Sequence, residues 1–200
     1  RDRQLAFSGF AMNQKLVDQL LLYAVTYENT ELNLLLRQVE EALEGGATIL
    51  QLREKTLNEE EYLRRALEVK KVCDRYNVPL IIDDSVNVAL KSGAAGVHIG
   101  QKDLDSASVR KILGPDKIVG VSAENVEQAK RAENSGADYL GVGAVYSTDT
   151  KKDHTDTSIE TLKDVCSSVS IPVVAIGGIK LHNMTPLKGS GIVGVAIVTS

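Results

Sequence analysis

Eight short runs rich in Val, Ile and Leu recur along the chain, and between them apolar residues return every three or four positions. The runs are "LLYAV" (Leu21–Val25), "TILQL" (Thr48–Leu52), "PLIID" (Pro79–Asp83), "AGVHI" (Ala95–Ile99), "KIVGV" (Lys117–Val121), "DYLGVG" (Asp138–Gly143), "PVVAI" (Pro172–Ile176) and "VGVAIV" (Val193–Val198). They are apolar rather than alternating, the pattern of parallel strands covered on both faces. The stretches "LNLLLRQVEEALEGG", "NEEEYLRRALEVKKVCDRYN" and "ENVEQAKRAENSGA" carry the helical period, and the first and third close on glycine, a common helix stop.

Strand and helix alternate with short loops and no linker, which predicts one α/β domain. Eight strands of this kind fit a (β/α)8 TIM barrel better than a doubly wound open sheet. Small residues precede the strands in "GGATI", "GAAGVHIG", "GADYLGVG" and "GSGIVGVAI", as a sharp helix-to-strand return requires. Residues 1–20 contain "NQKLVDQLL", read as an extra N-terminal helix capping the barrel bottom, with the barrel itself over residues 21–200. The sequence stops at Ser200, at the end of the eighth strand, so the closing eighth helix is missing and a truncated chain is expected.

Composition changes this picture little. Two hundred residues at 43% hydrophobic and 25% charged suit one soluble domain with a substantial core. A net charge of −4 gives no basic footprint and argues against nucleic acid. No apolar run reaches the roughly 18–20 residues that span a bilayer, and no signal-peptide core is present, so the expected compartment is the cytoplasm. Cys73 and Cys166 stand alone and read as reduced core thiols. Oligomeric state is left open, a homo-oligomer included.

In such barrels chemistry gathers at the C-terminal strand ends. Those ends carry Gln51, Arg53, Glu54 and Lys55, then Asp83 and Asp84, then Asp103 in "GQKD", and Ser122 in "GVSA". Thr148, Thr150 and Lys151 follow in "STDTKKD", then Gly177 and Gly178, and finally Thr199. Arg53, Lys55 and Lys151 are enough cations for a polyphosphate, with Arg as a fork and Lys as a point charge. Asp84 and Asp103 come from neighbouring strands and suit one Mg²⁺, completed by phosphate oxygens and water. The "IGGI" turn offers backbone N–H groups to a second phosphate. Each feature also has a plainer reading. Gln51–Lys55 could be a solvated ion-pair cluster, and Asp83 and Asp84 could cap the helix near Val86. Thr148 and Thr150 could be loop hydroxyls, Gly177–Gly178 a turn, and His98 a satisfied core residue. The joint placement at strand ends favours a site.

Taken together, "LYAVT", "GGATILQLREK", "PLIIDDSVNVAL", "GVHIGQKDL", "GVSA", "GADYLGVGAVYSTDTKKD", "PVVAIGGI" and "GVAIVTS" resemble the thiamine-phosphate synthase family, in order, from about Leu21 to Ser200. The resemblance implies a (β/α)8 transferase of thiamine biosynthesis. It would join 4-amino-2-methyl-5-hydroxymethylpyrimidine diphosphate to a thiazole phosphate and release pyrophosphate through a carbocation-like pyrimidine. It implies that Gln51, Leu52, Arg53, Glu54, Lys55, Asp83, Ser122 and Lys151 hold the pyrimidine diphosphate. Asp84 and Asp103 would hold Mg²⁺. Thr148, Asp149, Thr150, Gly178, Val198 and Thr199 would hold the thiazole phosphate. Arg53, Lys55, Lys151 and Ser122 are the expected catalytic groups. The family usually has Asn where Asp83 stands and Ser in place of Thr199. A thiazole tautomerase of similar fold and a catalytically silent ligand-binding barrel are the alternatives.

Overall fold

The structure of the protein, a computed structural model, describes residues 14–101, 105–147 and 157–198. The strands are β1 (Leu22–Val25), β2 (Ile49–Leu52), β3 (Leu80–Asp83), β4 (Gly96–Ile99), β5 (Ile118–Ala123), β6 (Tyr139–Val142), β7 (Val173–Ile176) and β8 (Gly194–Val198). Each pairs in parallel with the next and β8 pairs with β1, which closes the barrel. The helices are α1 (Leu32–Glu44), α2 (Glu59–Arg75), α3 (Val86–Ser92), α4 (Ser106–Leu113), α5 (Val126–Asn134) and α6 (Ile159–Ser168). Expected strand boundaries differ by a residue or two, and β5 runs on to Ala123, which takes Ser122 into the strand. No described helix is long and apolar enough to cross a membrane.

Successive side chains of a strand point to opposite faces, and the two faces differ in chemistry. The outward set, including Leu50, Leu52, Ile82, Val97, Val119 and Leu140, is buried in one cluster with helix residues such as Leu35, Val39, Val69 and Val165. The inward set is a smaller cluster of Leu20, Tyr23, Val25, Ile49, Ile81, Tyr139, Val174 and Ala196. Residues 14–19 are helical, and Leu16 and Leu20 pack on this inner cluster. Leu20 is fully buried there, so the lower end of the barrel is plugged.

The helices start and stop for local reasons. Asn58 accepts a hydrogen bond from the Glu61 N–H at the start of α2, where Glu59, Glu60 and Glu61 face the positive end of the helix dipole. Ser85 does the same for α3, accepting from the Val88 N–H, and α3 ends on Gly93 in the left-handed region at φ 70°.

Candidate active site

A cavity of about 1370 Å³ opens at the C-terminal ends of the strands. Gln51 of β2, Asp83 of β3, His98 of β4, Ser122 of β5, Gly141 of β6 and Ile176 of β7 line it, joined by Arg53, Lys55 and Asp84 from the loops that follow. Strand register explains the convergence. Asp83 lies beside His98, His98 beside Gly120, and Ser122 beside Gly141, all on the inward face.

The rim is charged. Arg53 donates from Nη1 to Glu28 Oε1 at 3.1 Å, and its backbone N–H donates to Thr26 Oγ1 at 3.0 Å, which fixes the guanidinium over the opening. Lys55 Nζ sits 2.6 Å from Asp83 Oδ2 and donates to Asp84 Oδ2. Burial presses on the Lys55 ammonium, but the facing carboxylates of Asp83 and Asp84 outweigh it and hold the lysine above its ordinary value. Asp83 is 5% exposed, and burial together with the charge of Asp84 pushes its carboxyl up to about 6. The Lys55 ammonium is thus the partner of the buried Asp83 Oδ2.

Neither aspartate caps α3, because Ser85 fills that position. The plainer reading of the pair therefore fails. Asp84 instead adopts φ 61°, a left-handed backbone uncommon for a non-glycine residue, with its N–H donating to the His98 carbonyl at 2.8 Å. Its side chain is thereby turned to the rim beside Asp83, both on the cavity wall. Tyr62 of α2 reaches the Leu52 and Asp83 carbonyls at 2.8 and 3.0 Å and ties the ends of β2 and β3 together.

These two carboxylates suit a hard cation, since they are oxygen donors that already converge on one cation, the Lys55 ammonium. Among the described residues no three His, Cys, Asp or Glu side chains meet, and a Mg²⁺ held there would take its further oxygens from outside that set, from water, substrate or the expected ligand Asp103.

Two expected contacts are not brought to the cavity. Leu52 is fully buried on the outward face of β2. Glu54 is 5% exposed and turns into the helix layer, 3.0 Å from Arg65 Nη1, while its other oxygen accepts from the Asn29 N–H at 3.0 Å. The alternation of a strand continues past its last hydrogen bond, so Gln51, Arg53 and Lys55 face the cavity and the residues between them face away. Gly178 and Val198 line the opposite wall. A Cβ at Gly178 would lie 2.6 Å from the Ser147 carbonyl, so only glycine fits this turn, and Asn183 Nδ2 holds the Gly178 carbonyl at 2.9 Å. Asp103, Thr148, Asp149, Thr150, Lys151 and Thr199 lie outside the described residues.

Several wall residues were not anticipated. His98 engages both ring nitrogens, as a satisfied core histidine would, yet its ring lines the cavity. Tyr23, Glu28, Gln101, Glu124 and Lys180 are also on the wall. Tyr23 was hidden inside an apolar run, and its inward register was the only available signal. Neither cysteine lines the cavity, and burial pushes the Cys73 thiol up to about 12 and that of Cys166 to about 11, so neither is a nucleophile.

The buried carboxyl of Asp83 has a thermodynamic consequence. A folded-state value of about 6 against an ordinary 3.8 means that the folded chain binds more protons than the unfolded one between those limits. Stability contributed by this group is therefore greatest at low pH and falls as pH rises from about 4 to about 6. Asp83→Asn removes that loss. In the metal-free protein the melting temperature of the variant should gain on that of the parent across this window, and parallel melting curves from pH 4 to 7 would contradict the assignment.

A family model of thiamine monophosphate synthase matches residues 22–200. The thiamine-phosphate synthase of Ruminiclostridium cellulolyticum is 50% identical over 184 residues, covering 92% of this chain and 88% of that protein. That of Clostridium tetani is 52% identical over 162 residues, 81% of this chain and 78% of that protein. The solved thiamine phosphate pyrophosphorylase from Pyrococcus furiosus superposes with a TM-score of 0.82 at 36% identity, covering 92% of this chain and 87% of that one.

Proposed function

The chain belongs to the thiamine monophosphate synthase family, and from that premise we propose that its cavity couples 4-amino-2-methyl-5-hydroxymethylpyrimidine diphosphate to a thiazole phosphate, giving thiamine phosphate and pyrophosphate. The observation that carries this reading is the layering of the cavity. Neutral hydrogen-bonding groups, Gln51 and Ser122, lie on the strands, and two cations with two carboxylates lie at the rim beyond β2 and β3. An aminopyrimidine fits the lower zone and its diphosphate the upper one.

In the reaction the bond between the pyrimidine methylene carbon and the diphosphate oxygen breaks, and the electron pair leaves with pyrophosphate. The methylene carbon, left electron-poor but conjugated with the amino-substituted ring, is attacked by the thiazole nitrogen. Arg53 and Lys55 bear on the leaving oxygens, where negative charge develops, and fixed charges so placed are the dominant form of stabilisation in such sites. Asp83 and Asp84 would hold Mg²⁺, which when bound supplies further positive charge to the diphosphate. Gln51 and Ser122 orient the pyrimidine. No side-chain nucleophile is required, in keeping with the inert state of both thiols. The opposite wall, with Gly178, Val198 and Lys180, receives the thiazole phosphate. The substrates are small and soluble, and we place the reaction in the cytoplasm.

Incubation with both phosphorylated substrates, with and without Mg²⁺, tests the reading. Metal-dependent thiamine phosphate is the expected product. Isomerised thiazole without coupling, or binding of both compounds without turnover, would defeat it. Within the same assay, Asp84→Ala should raise the Mg²⁺ concentration for half-maximal rate by at least about 10–100-fold, the range found when groups that only support a metal's ligands are removed. An unchanged Mg²⁺ dependence would remove Asp84 from the metal shell.

A further inference from the structure

Beneath the charged rim the barrel is crossed by a line of polar contacts that no step of the coupling reaction uses. Gln51 Nε2 donates to the Tyr23 hydroxyl at 2.9 Å. The Tyr23 and Tyr139 hydroxyls are 2.6 Å apart. Tyr139 Oη is 2.9 Å from His98 Nδ1, and His98 Nε2 is 2.9 Å from Ser122 Oγ. Both phenols are at most 1% exposed.

The chain is built into the strands. A Cβ at Gly120 would lie 2.1 Å from the Tyr139 ring, and one at Gly141 would lie 3.1 Å from His98. Two inward positions of β5 and β6 therefore carry no side chain, and the two rings occupy the space. Burial drives both hydroxyls far above the ordinary phenol value, so each keeps its single proton.

We propose that Tyr23 and Tyr139 are positioning residues of the pyrimidine site, which couple Gln51 on one wall to Ser122 on the other and thereby set the hydrogen-bonding polarity offered to the ring. The inference rests on the pyrimidine reading of the cavity. A hydroxyl with one proton that accepts from one neighbour must donate to the next. With Gln51 Nε2 donating, Tyr23 donates to Tyr139 and Tyr139 donates to His98 Nδ1. His98 is then the neutral Nε2–H tautomer and donates to Ser122 Oγ. Ser122 is left with its own proton to give to the cavity, and Gln51 Oε1 is left as an acceptor. Reversing the Gln51 amide reverses every bond in the line and exchanges the two roles. Only the first sense, with Gln51 Nε2 donating to Tyr23, sets an acceptor at Gln51 Oε1 and a donor at Ser122, and that is the sense proposed here. An aminopyrimidine edge, with an N–H of the amino group beside a lone pair of a ring nitrogen, has the matching pattern. A 4-oxo pyrimidine, with C=O beside ring N–H, has the opposite one and fits only the reversed line.

Tyr139→Phe cuts the line at a residue off the wall, and Tyr23→Phe cuts it by removing one hydroxyl from the wall. Each should raise KM for the pyrimidine diphosphate by about tenfold, the size of one mis-set hydrogen bond, and leave KM for the thiazole phosphate unchanged. Discrimination against the 4-oxo analogue should fall in the same proportion. A loss of thermal stability alone, with KM and discrimination intact, would reduce both tyrosines to packing and overturn the proposal. A second measurement uses no substrate. Nitrogen-15 NMR of the free protein at a pH where His98 is neutral should show the Nε2–H tautomer, changing to a mixture in Tyr139→Phe. The Nδ1–H tautomer in the parent, or no change in the variant, would also overturn it. If the parent makes no thiamine phosphate, the functional reading fails while the tautomer result still decides the fate of the line. If Tyr139→Phe does not fold, Tyr23→Phe carries the kinetic test.

Discussion

Arg53→Ala should lower kcat for thiamine phosphate formation by about 10²–10³-fold, the cost of removing one preorganised charge-stabilising donor, and leave KM for the thiazole phosphate near its parent value. The size of the effect follows from the position of the guanidinium. It is 13% exposed and held at its lower edge by Glu28, so little water is available to replace it once a diphosphate fills the cavity mouth. Alanine also leaves Glu28 facing the diphosphate without its partner, which adds repulsion to the lost attraction. Arg53→Lys should recover only part of the rate, since an ammonium offers the charge without the fork that can grip Glu28 and a phosphate oxygen together. Steady-state kinetics with each substrate varied in turn measures both effects. A variant that loses thiazole phosphate affinity, or that turns over normally, would place the diphosphate elsewhere.

Glu54→Ala should instead act on stability. Glu54 is buried against Arg65, whose side chain is only 12% exposed, and the carboxylate also holds the Asn29 N–H of the β1–α1 loop. Breaking a buried pair by removing one partner leaves the other charge uncompensated and costs about 3–5 kcal/mol. For a chain of this size that corresponds to a fall in Tm of about 6–20 °C. Calorimetry should show that fall, and kcat at low temperature should stay within a few-fold of the parent. An unchanged Tm with lost pyrimidine binding would return Glu54 to the cavity wall.

These two neighbours, one residue apart, mark the limit of what could be read from the chain. The eight apolar runs located the strands to within a residue or two, because burial on both faces leaves a continuous signal. The same continuity concealed which side of each strand faced inward. Gln51 to Lys55 read as one polar block, and only the closed barrel separates the alternating residues that meet the cavity from those that meet the helices. Tyr23 and Tyr139 counted as apolar in the sequence, yet their hydroxyls form the polar floor. The glycines divide in the same way. Gly93, at φ 70°, is a return into a strand as its place before β4 suggested, whereas Gly120, inside β5, is there because a ring needs its space. Asp83 and Asp84 read as site residues with helix capping as the plainer alternative, and Ser85 takes the cap. A capping serine directly after two aspartates was visible in the sequence, but its precedence depends on backbone geometry that the sequence does not carry.

The plug formed by Leu16 and Leu20 under the inner cluster gives the cavity the traffic rules of a blind alley. Whatever travels deepest must arrive first and depart last. On the proposed reading, a pyrimidine on the tyrosine floor would be covered by its own diphosphate on one wall and by the thiazole on the other, so a thiazole that enters early would block the way down. The released pyrophosphate, at the charged rim, would not have to wait for the joined product.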